Sequence, residues 1–213
     1  VVIVCVGTPV CDNGSLDLSV LFKVSEQIGD AIRNLDRHTS IVIRSTVVPG
    51  TTEKIIELIE QHSGKTMGTG FSVFYNPEFM REGNAISDFM NPPFILIGTD
   101  NEKTVKKYSP IYKGINTEII INEFKVSESI KMVNNSYHAL KVCFANEVGN
   151  ICQAMEIDSN KIMELFVKDT QLNISPKYFR PGFAYGGSCL HKDLKAFRTI
   201  ASRKGVQSVL LDS

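Results

Sequence analysis

The 213-residue sequence has no excess of charge. Its 23 lysines and arginines balance 23 aspartates and glutamates, without a block of one sign. That excludes an electrostatic case for a nucleic-acid or anionic-membrane surface. No apolar run reaches the length that spans a bilayer, and no charged-then-apolar signal opens the chain. There is no C-x-x-C pair either. The five cysteines, Cys5, Cys11, Cys143, Cys152 and Cys189, are odd in number and scattered. This argues against a disulfide framework and against a zinc site, and no metal is expected. The usage suits a reducing cytoplasm, which is the expected location. Internal repeats and low-complexity segments are also missing.

What is present is ordinary globular material, 43% hydrophobic and 22% charged, long enough for one large domain or two small ones. The chain enters at once on "VVIVCVG" and stops at "VLLDS" soon after a helical pattern, so it reads as a segment of a longer protein. Val1 to Val6 is a β-branched apolar run, the pattern of a parallel strand buried on both faces. Val20, Leu21, Val24, Ile28, Ala31, Ile32 and Leu35 share one helix face that starts near Asp17 or Ser19. "IVIRST" is the next strand, and "VVPGTTEKIIELIE" turns through Pro-Gly into another helix. "FSVFYNPEF" and "FILIGT" predict two more strands. A weaker helix over Glu102 to Tyr112 leads to "TEIII". Strands alternating with helices at this spacing predict an α/β fold with a parallel sheet.

Near Glu123 the pattern changes. From there to about Glu156 the only glycine or proline is Gly149, and Val126, Ile130, Val133, Tyr137, Leu140, Phe144, Val148 and Ile151 recur at helical spacing. A continuous helix here is on the order of 45 Å long, which suits a connecting or dimer-forming element. Asp158 or Ser159 caps a shorter helix to about Val167. A last helix is predicted from about Asp193 to Lys204, stopped by Gly205. The domains are therefore expected at 1–122, the C-terminal part of a Rossmann-like domain, and 123–213, an all-helical domain.

In open parallel sheets ligands bind beyond the carboxyl ends of the strands. "GTP" (Gly7 to Pro9), "RST" (Arg44 to Thr46) and "NPEFMRE" (Asn76 to Glu82) all fall there. If Pro77 begins a helical turn, Glu78 and Glu82 share one face as a carboxylate pair suited to acid–base work. A solvated acidic helix start explains them equally well. Lys131, Asn135 and His138 share a face of the long helix. A lysine beside an amide can stabilise an oxyanion, although a surface lysine with polar neighbours fits the same spacing. Cys189 stands apart. It lies just before a predicted helix whose N-terminus favours a thiolate, with Lys192 near and "GFAYGGS" leaving room for a substrate. Cys5, Cys143 and Cys152 sit in apolar runs and read as buried structural cysteines. Cys11 reads as an exposed loop residue.

Taken in order, "CVGTP", "RSTVVPGT", "NPEFMREG", "ESIKMVNNSYHALKVCFANEVGN" and "FAYGGSCLHKD" resemble the UDP-glucose/GDP-mannose dehydrogenase family over nearly the whole chain. "DTQLNISPKYFRPGFAYGGSCL" is most similar to the GDP-mannose branch of that family. The resemblance implies NAD as cofactor and a four-electron oxidation of a sugar-nucleotide C6 alcohol, GDP-mannose to GDP-mannuronate, a precursor of alginate-type polymers. A UDP-sugar substrate, or a non-catalytic dimerisation role, is the alternative. It implies Cys189 as the nucleophile that carries thiohemiacetal and thioester. Lys131 and Asn135 would stabilise oxyanions, and Asp193 would position a water or tune Lys131. Glu82 would be the general base, and Thr46 would hold a water or the substrate hydroxyl. Glu78, Asn173, Tyr178 and Arg180 would contact substrate, and Gly7, Thr8, Ser45, Thr46 and Lys192 would face NAD. The long helix would build a homodimer. Two departures from the family pattern stand out. His191 replaces the proline of C-x-P-K-D, and the G-x-G-x-x-G fingerprint with its acidic ribose ligand does not occur in these residues. The segment by itself is accordingly expected to be inactive.

Overall fold

The computed structural model describes residues 1–179 and 188–212. The chain divides into two compact units, Val1–Asn135 and Ser136–Ser213.

In the first unit five strands, β1 (Val2–Val4), β2 (Thr39–Ile43), β3 (Phe71–Tyr75), β4 (Ile95–Gly98) and β5 (Ile119–Asn122), lie side by side in sequence order. The two-residue period of a strand sends alternate side chains to opposite faces. Ile41, Ile43, Val73 and Tyr75 face one core with Leu21, Ile32, Ile55 and Ile59, which come from α1 (Ser19–Ile32) and α2 (Thr51–Ser63). Val42 and Phe74 face a second core with Ile97, Tyr108 and Tyr112. α1 and α2 approach closely at Gly29, where a Cβ would come within 2.6 Å of His62 Cβ. Every residue of β2 and β3 is buried as a result.

β1 pairs with β2 alone, so it is an edge strand. Ile3 is 50% exposed while Val4 is 4% exposed. The expectation of burial on both faces is not met by β1 within this chain, where it has a neighbour on one side and Ile3 is left uncovered.

β1, β2 and β3 are mutually parallel, as are β4 and β5, but β3 and β4 run antiparallel through the pair Tyr75–Gly98. The segment between them carries only the six-residue α3 (Ala85–Met90), which buries no residue. A parallel crossover needs a longer element packed back on the sheet, and α3 does not provide one. The predicted helix before β5 is α4 (Glu102–Tyr108), continued by a 3-10 turn over Ser109–Tyr112.

α5 (Phe124–Ala154) is a single helix of 31 residues. Its first turns belong to the first unit and bury Phe124, Ser127, Glu128 and Lys131. Gly98 at the end of β4 permits this, since a Cβ there would lie 2.8 Å from Ser127 Cβ.

The second unit holds the rest of α5 with α6 (Ser159–Phe166), α7 (Ser188–Arg203) and α8 (Val209–Asp212). Asp158 caps α6, accepting from Asn160 N–H at 3.0 Å. Glu147 of α5 accepts from the backbone N–H of Leu210 and Leu211 at 2.9 and 3.0 Å, tying α8 down. α7 begins five residues before the predicted start at Asp193, and Gly205 ends it in the left-handed region at φ 70°. The earlier start suits His191, which brings the backbone N–H that a proline lacks.

Candidate functional site

In the first unit the parallel strands bring the ends of β1 and β2 together, and hydroxyl groups lace their loops. Thr8 Oγ1 donates to the Thr46 carbonyl at 2.8 Å, and Ser45 Oγ donates to the Val6 carbonyl at 2.7 Å. Both donors are thereby spent on joining loops, leaving hydroxyl lone pairs to accept from a ligand. Gly7 is exposed, and a Cβ added there would meet nothing within 4 Å. These groups fit one wall of a nucleotide site. The glycine turn that would grip a pyrophosphate is not in this sequence.

Behind that wall is a polar plug that the sequence did not announce. Asn76, 2% exposed, donates through Nδ2 to the Leu96 carbonyl at 2.7 Å. Its Oδ1 accepts from Arg44 Nη1, from the Tyr112 hydroxyl and, at 3.0 Å, from the Tyr108 hydroxyl. Burial pushes the Tyr108 phenol well above its ordinary range. The network fixes the start of "NPEFMRE" against β2. An asparagine immediately after a buried strand was the one available signal, and it was too common to read.

Glu78 and Glu82 are not a stacked pair, because no helical turn starts at Pro77. Glu78 turns its own Oε2 back to accept from Met80 N–H at 2.8 Å, a local bond that competes with helix formation. Its Oε1 accepts from Lys131 Nζ at 2.7 Å. Lys131 is 9% exposed, so the surface-lysine alternative does not hold. The ammonium also lies 6.0 Å from the centre of the Phe79 ring. Asn135 and His138, further along α5, are exposed, and Thr46 is half-buried.

Glu82 is exposed on a turn before α3. Arg81 braces that turn with a two-pronged grip on Asp88, Nε at 3.0 Å and Nη2 at 2.8 Å, and its backbone N–H donates to the same carboxylate at 2.8 Å. The guanidinium and that N–H hold the Asp88 carboxyl down to about 2. Glu128 was also missed by the sequence reading. It is fully buried on α5 and accepts from Gly50 N–H, Thr52 N–H and Thr52 Oγ1 at 2.6, 2.7 and 2.6 Å. Nothing local in "ESIK" separates such a carboxylate from a solvated one.

In the second unit Cys189 is exposed and lies inside the first turn of α7, rather than ahead of the helix as expected. Lys192 and Asp193 follow on the same helix, both exposed, with Nζ and Oδ1 3.6 Å apart. Asn173 is exposed and donates to the Phe166 carbonyl at 3.1 Å. Tyr178 is 83% exposed and holds φ at 66°, a left-handed conformation rare for a bulky residue. Phe179 beside it meets Tyr137 edge-on at 5.0 Å. Arg180 lies outside the described residues.

Of the three cysteines read as buried, only Cys152 is. Cys5 follows the exposed edge strand. Cys143 is one residue from Phe144, which packs on Phe166, but successive helical residues point about 100° apart. An apolar run along a helix therefore does not bury all its members. Cys11 is exposed, as read.

Residues 1–116 match the NAD binding domain of the UDP-glucose/GDP-mannose dehydrogenase family, and residues 125–213 match that family's central domain. The sheet unit is thus of the nicotinamide-nucleotide-binding class. The chain belongs to the UDP-glucose/GDP-mannose dehydrogenase family. It is 44% identical to GDP-mannose 6-dehydrogenase of Pseudomonas aeruginosa over 99% of its length and 48% of that protein's. It is 32% identical to a UDP-glucose 6-dehydrogenase of Haloferax volcanii, over 97% of its length and 49% of that protein's. A crystal structure of a ternary complex of the Pseudomonas aeruginosa GDP-mannose dehydrogenase superposes with a TM-score of 0.95, covering 99% of this chain and 49% of that one. A UDP-glucose dehydrogenase from Pyrobaculum islandicum superposes at 0.74 with 33% identity, covering 99% and 48%. The chain spans about half the length of the curated relatives it matches.

Proposed function

We propose that the protein containing this chain is an NAD-dependent nucleotide-sugar 6-dehydrogenase that converts GDP-mannose to GDP-mannuronate. The observation that supports this most is the buried Lys131 of α5 held by the half-buried Glu78 of the loop after β3, in a chain 44% identical to GDP-mannose 6-dehydrogenase. A buried lysine held by one carboxylate keeps its remaining N–H groups oriented, as stabilisation of a developing oxyanion requires.

Bound NAD supplies the hydride acceptor, one molecule for each of two oxidations. Gly7, Thr8, Ser45, Thr46 and Lys192 would hold it. Cys189 adds its sulfur to the C6 aldehyde formed first, giving a thiohemiacetal whose oxygen Lys131 and Asn135 stabilise. Loss of a second hydride leaves a thioester. Thr46 and Asp193 then order the water, Glu82 takes its proton, and the C–S bond breaks to release the carboxylate and the thiolate. Asn173, Tyr178 and Arg180 hold the sugar nucleotide, with Arg180 suited to bidentate phosphate contact. Glu78 acts by holding Lys131. By role, residues 1–122 serve the cofactor, and residues 123–213 serve catalysis and dimerisation in the cytoplasm. Val126, Val133 and Leu140, which are 49%, 58% and 45% exposed along α5, supply the apolar face for a homodimer.

The test is an assay of the intact protein with NAD and a panel of GDP-mannose, UDP-glucose and UDP-N-acetylmannosamine. Two NADH per GDP-mannose are expected. A preference for UDP-glucose would overturn the substrate assignment, and no NADH from any sugar would overturn the activity.

A further inference from the structure

α2 begins without a side-chain cap of its own. Its N-cap is Gly50, in the left-handed region at φ 93°, and no side chain of the loop bonds the first N–H groups. An uncapped helix start leaves orphan donors that must find partners if they are buried. Glu128 supplies them from α5, far along the sequence. One of its carboxylate oxygens takes the Gly50 N–H, and the other takes both Thr52 donors. Glu128 is 0% exposed, and no lysine or arginine pairs with it among the described residues. The positive end of α2 and three donors therefore carry the whole accommodation of this carboxylate.

The loop from Arg44 to Gly50 is held at both ends as a consequence. At its start Ser45 and Thr46 are bonded to the end of β1 through the Val6 carbonyl and Thr8. At its end Gly50 and Thr52 are bonded to Glu128. One turn further along α5, Lys131 grips Glu78 from the loop after β3. Adjacent turns of one helix thus anchor the two loops that follow neighbouring strands.

We propose that Glu128 is a positioning residue, a carboxylate clamp that sets Thr46 and Lys131 at a fixed separation for the reaction. This rests on the dehydrogenase reading above. A residue that only capped a helix would affect stability and nothing more. Glu147 on the same helix offers that comparison, because it binds the N–H groups of Leu210 and Leu211 and touches no proposed site residue.

The experiment compares E128Q and E147Q in the intact protein. Glutamine keeps the size of Glu128 but sets an NH2 donor against one of the donors. The expected result is a fall in kcat of about tenfold or more, with KM for the nucleotide sugar within about threefold. E147Q is expected to lower the melting temperature to a similar degree with kcat within about twofold. E128Q retaining kcat, or changing KM alone, would overturn the proposal. Should E128Q not fold, Thr52→Val removes a single donor and is expected to lower kcat about twofold to fivefold; an unchanged kcat would overturn it equally. Hydrogen exchange separates the two readings. Faster exchange at Gly50 and Thr52 in E128Q is expected whatever the activity. If the wild type oxidises no sugar the dehydrogenase reading fails, and unchanged exchange at those amides would sink the clamp on its own account.

Discussion

The two units bury their apolar residues very differently. In the sheet unit every residue of β2 and β3 is buried, and side chains from both faces of the sheet enter closed cores. In the helical unit Val148, Ile151, Cys152 and Ala201 are buried. Val142, Ile162, Leu165, Val167, Leu172 and Ile174 stay 41% to 65% exposed. A sheet offers two broad faces, and at β2 and β3 both are covered. A helix offers a stripe, and in the helical unit α6 buries none of its own residues. Amphipathic spacing therefore announces that a face wants a partner without saying whether the same chain provides one.

The largest expected effect concerns chemistry carried by the sparsely packed unit. Cys189→Ala in the intact protein should reduce conversion of sugar to acid by about a thousandfold or more, measured as NADH formed per GDP-mannose. Full oxidation to the acid by this variant would remove the thioester route. Next comes the packing contrast itself. Ile43→Ala opens a cavity in a closed core and should cost about 2–5 kcal/mol by urea denaturation. Leu165→Ala should cost no more than about 0.5 kcal/mol in this chain, because its side chain is already 65% exposed. Equal costs would erase the distinction between the units.

Placing a charge on the exposed stripe, as in Leu140→Glu, should shift the intact protein toward monomer in sedimentation velocity at micromolar concentration. No shift would detach that stripe from dimerisation. The smallest effect is local. The Asp88 carboxyl is held at about 2 by Arg81, below the ordinary carboxylate value. A depressed folded-state pKa stabilises fully above the ordinary value of about 3.9 and fades as pH falls through the folded one. An NMR titration of the Asp88 carboxyl carbon should show that midpoint, and Arg81→Met should return it toward the ordinary value.

Much of the sheet unit was legible because strand and helix periods are local properties. The apolar start of "IVIRST" and the apolar helix face from Val20 to Leu35 predicted β2 and α1. The antiparallel β4 was not legible, because it depends on how a short intervening helix fails to cover the sheet. At the site, Lys131 was read from its place on a helix face, but its burial and its bond to Glu78 join residues 53 positions apart. Glu78 was read with Glu82 because four residues separate them; the backbone bond at Met80 decided otherwise.

What the sequence by itself determined is the order and type of the main elements (though not the short α3 and α8), the long helix, the stop at Gly205 and, through its ordered motifs, the family. Each of these rests on neighbours along the chain or on residue identity. Only the tertiary structure decided which carboxylates accept from helix-start N–H groups. Glu128 and Glu147 look like ordinary helix-surface residues in the sequence, and each becomes a cap when distant backbone N–H groups are brought to it. A side chain's charge is written in the sequence, but the donors that hold it are set by the fold.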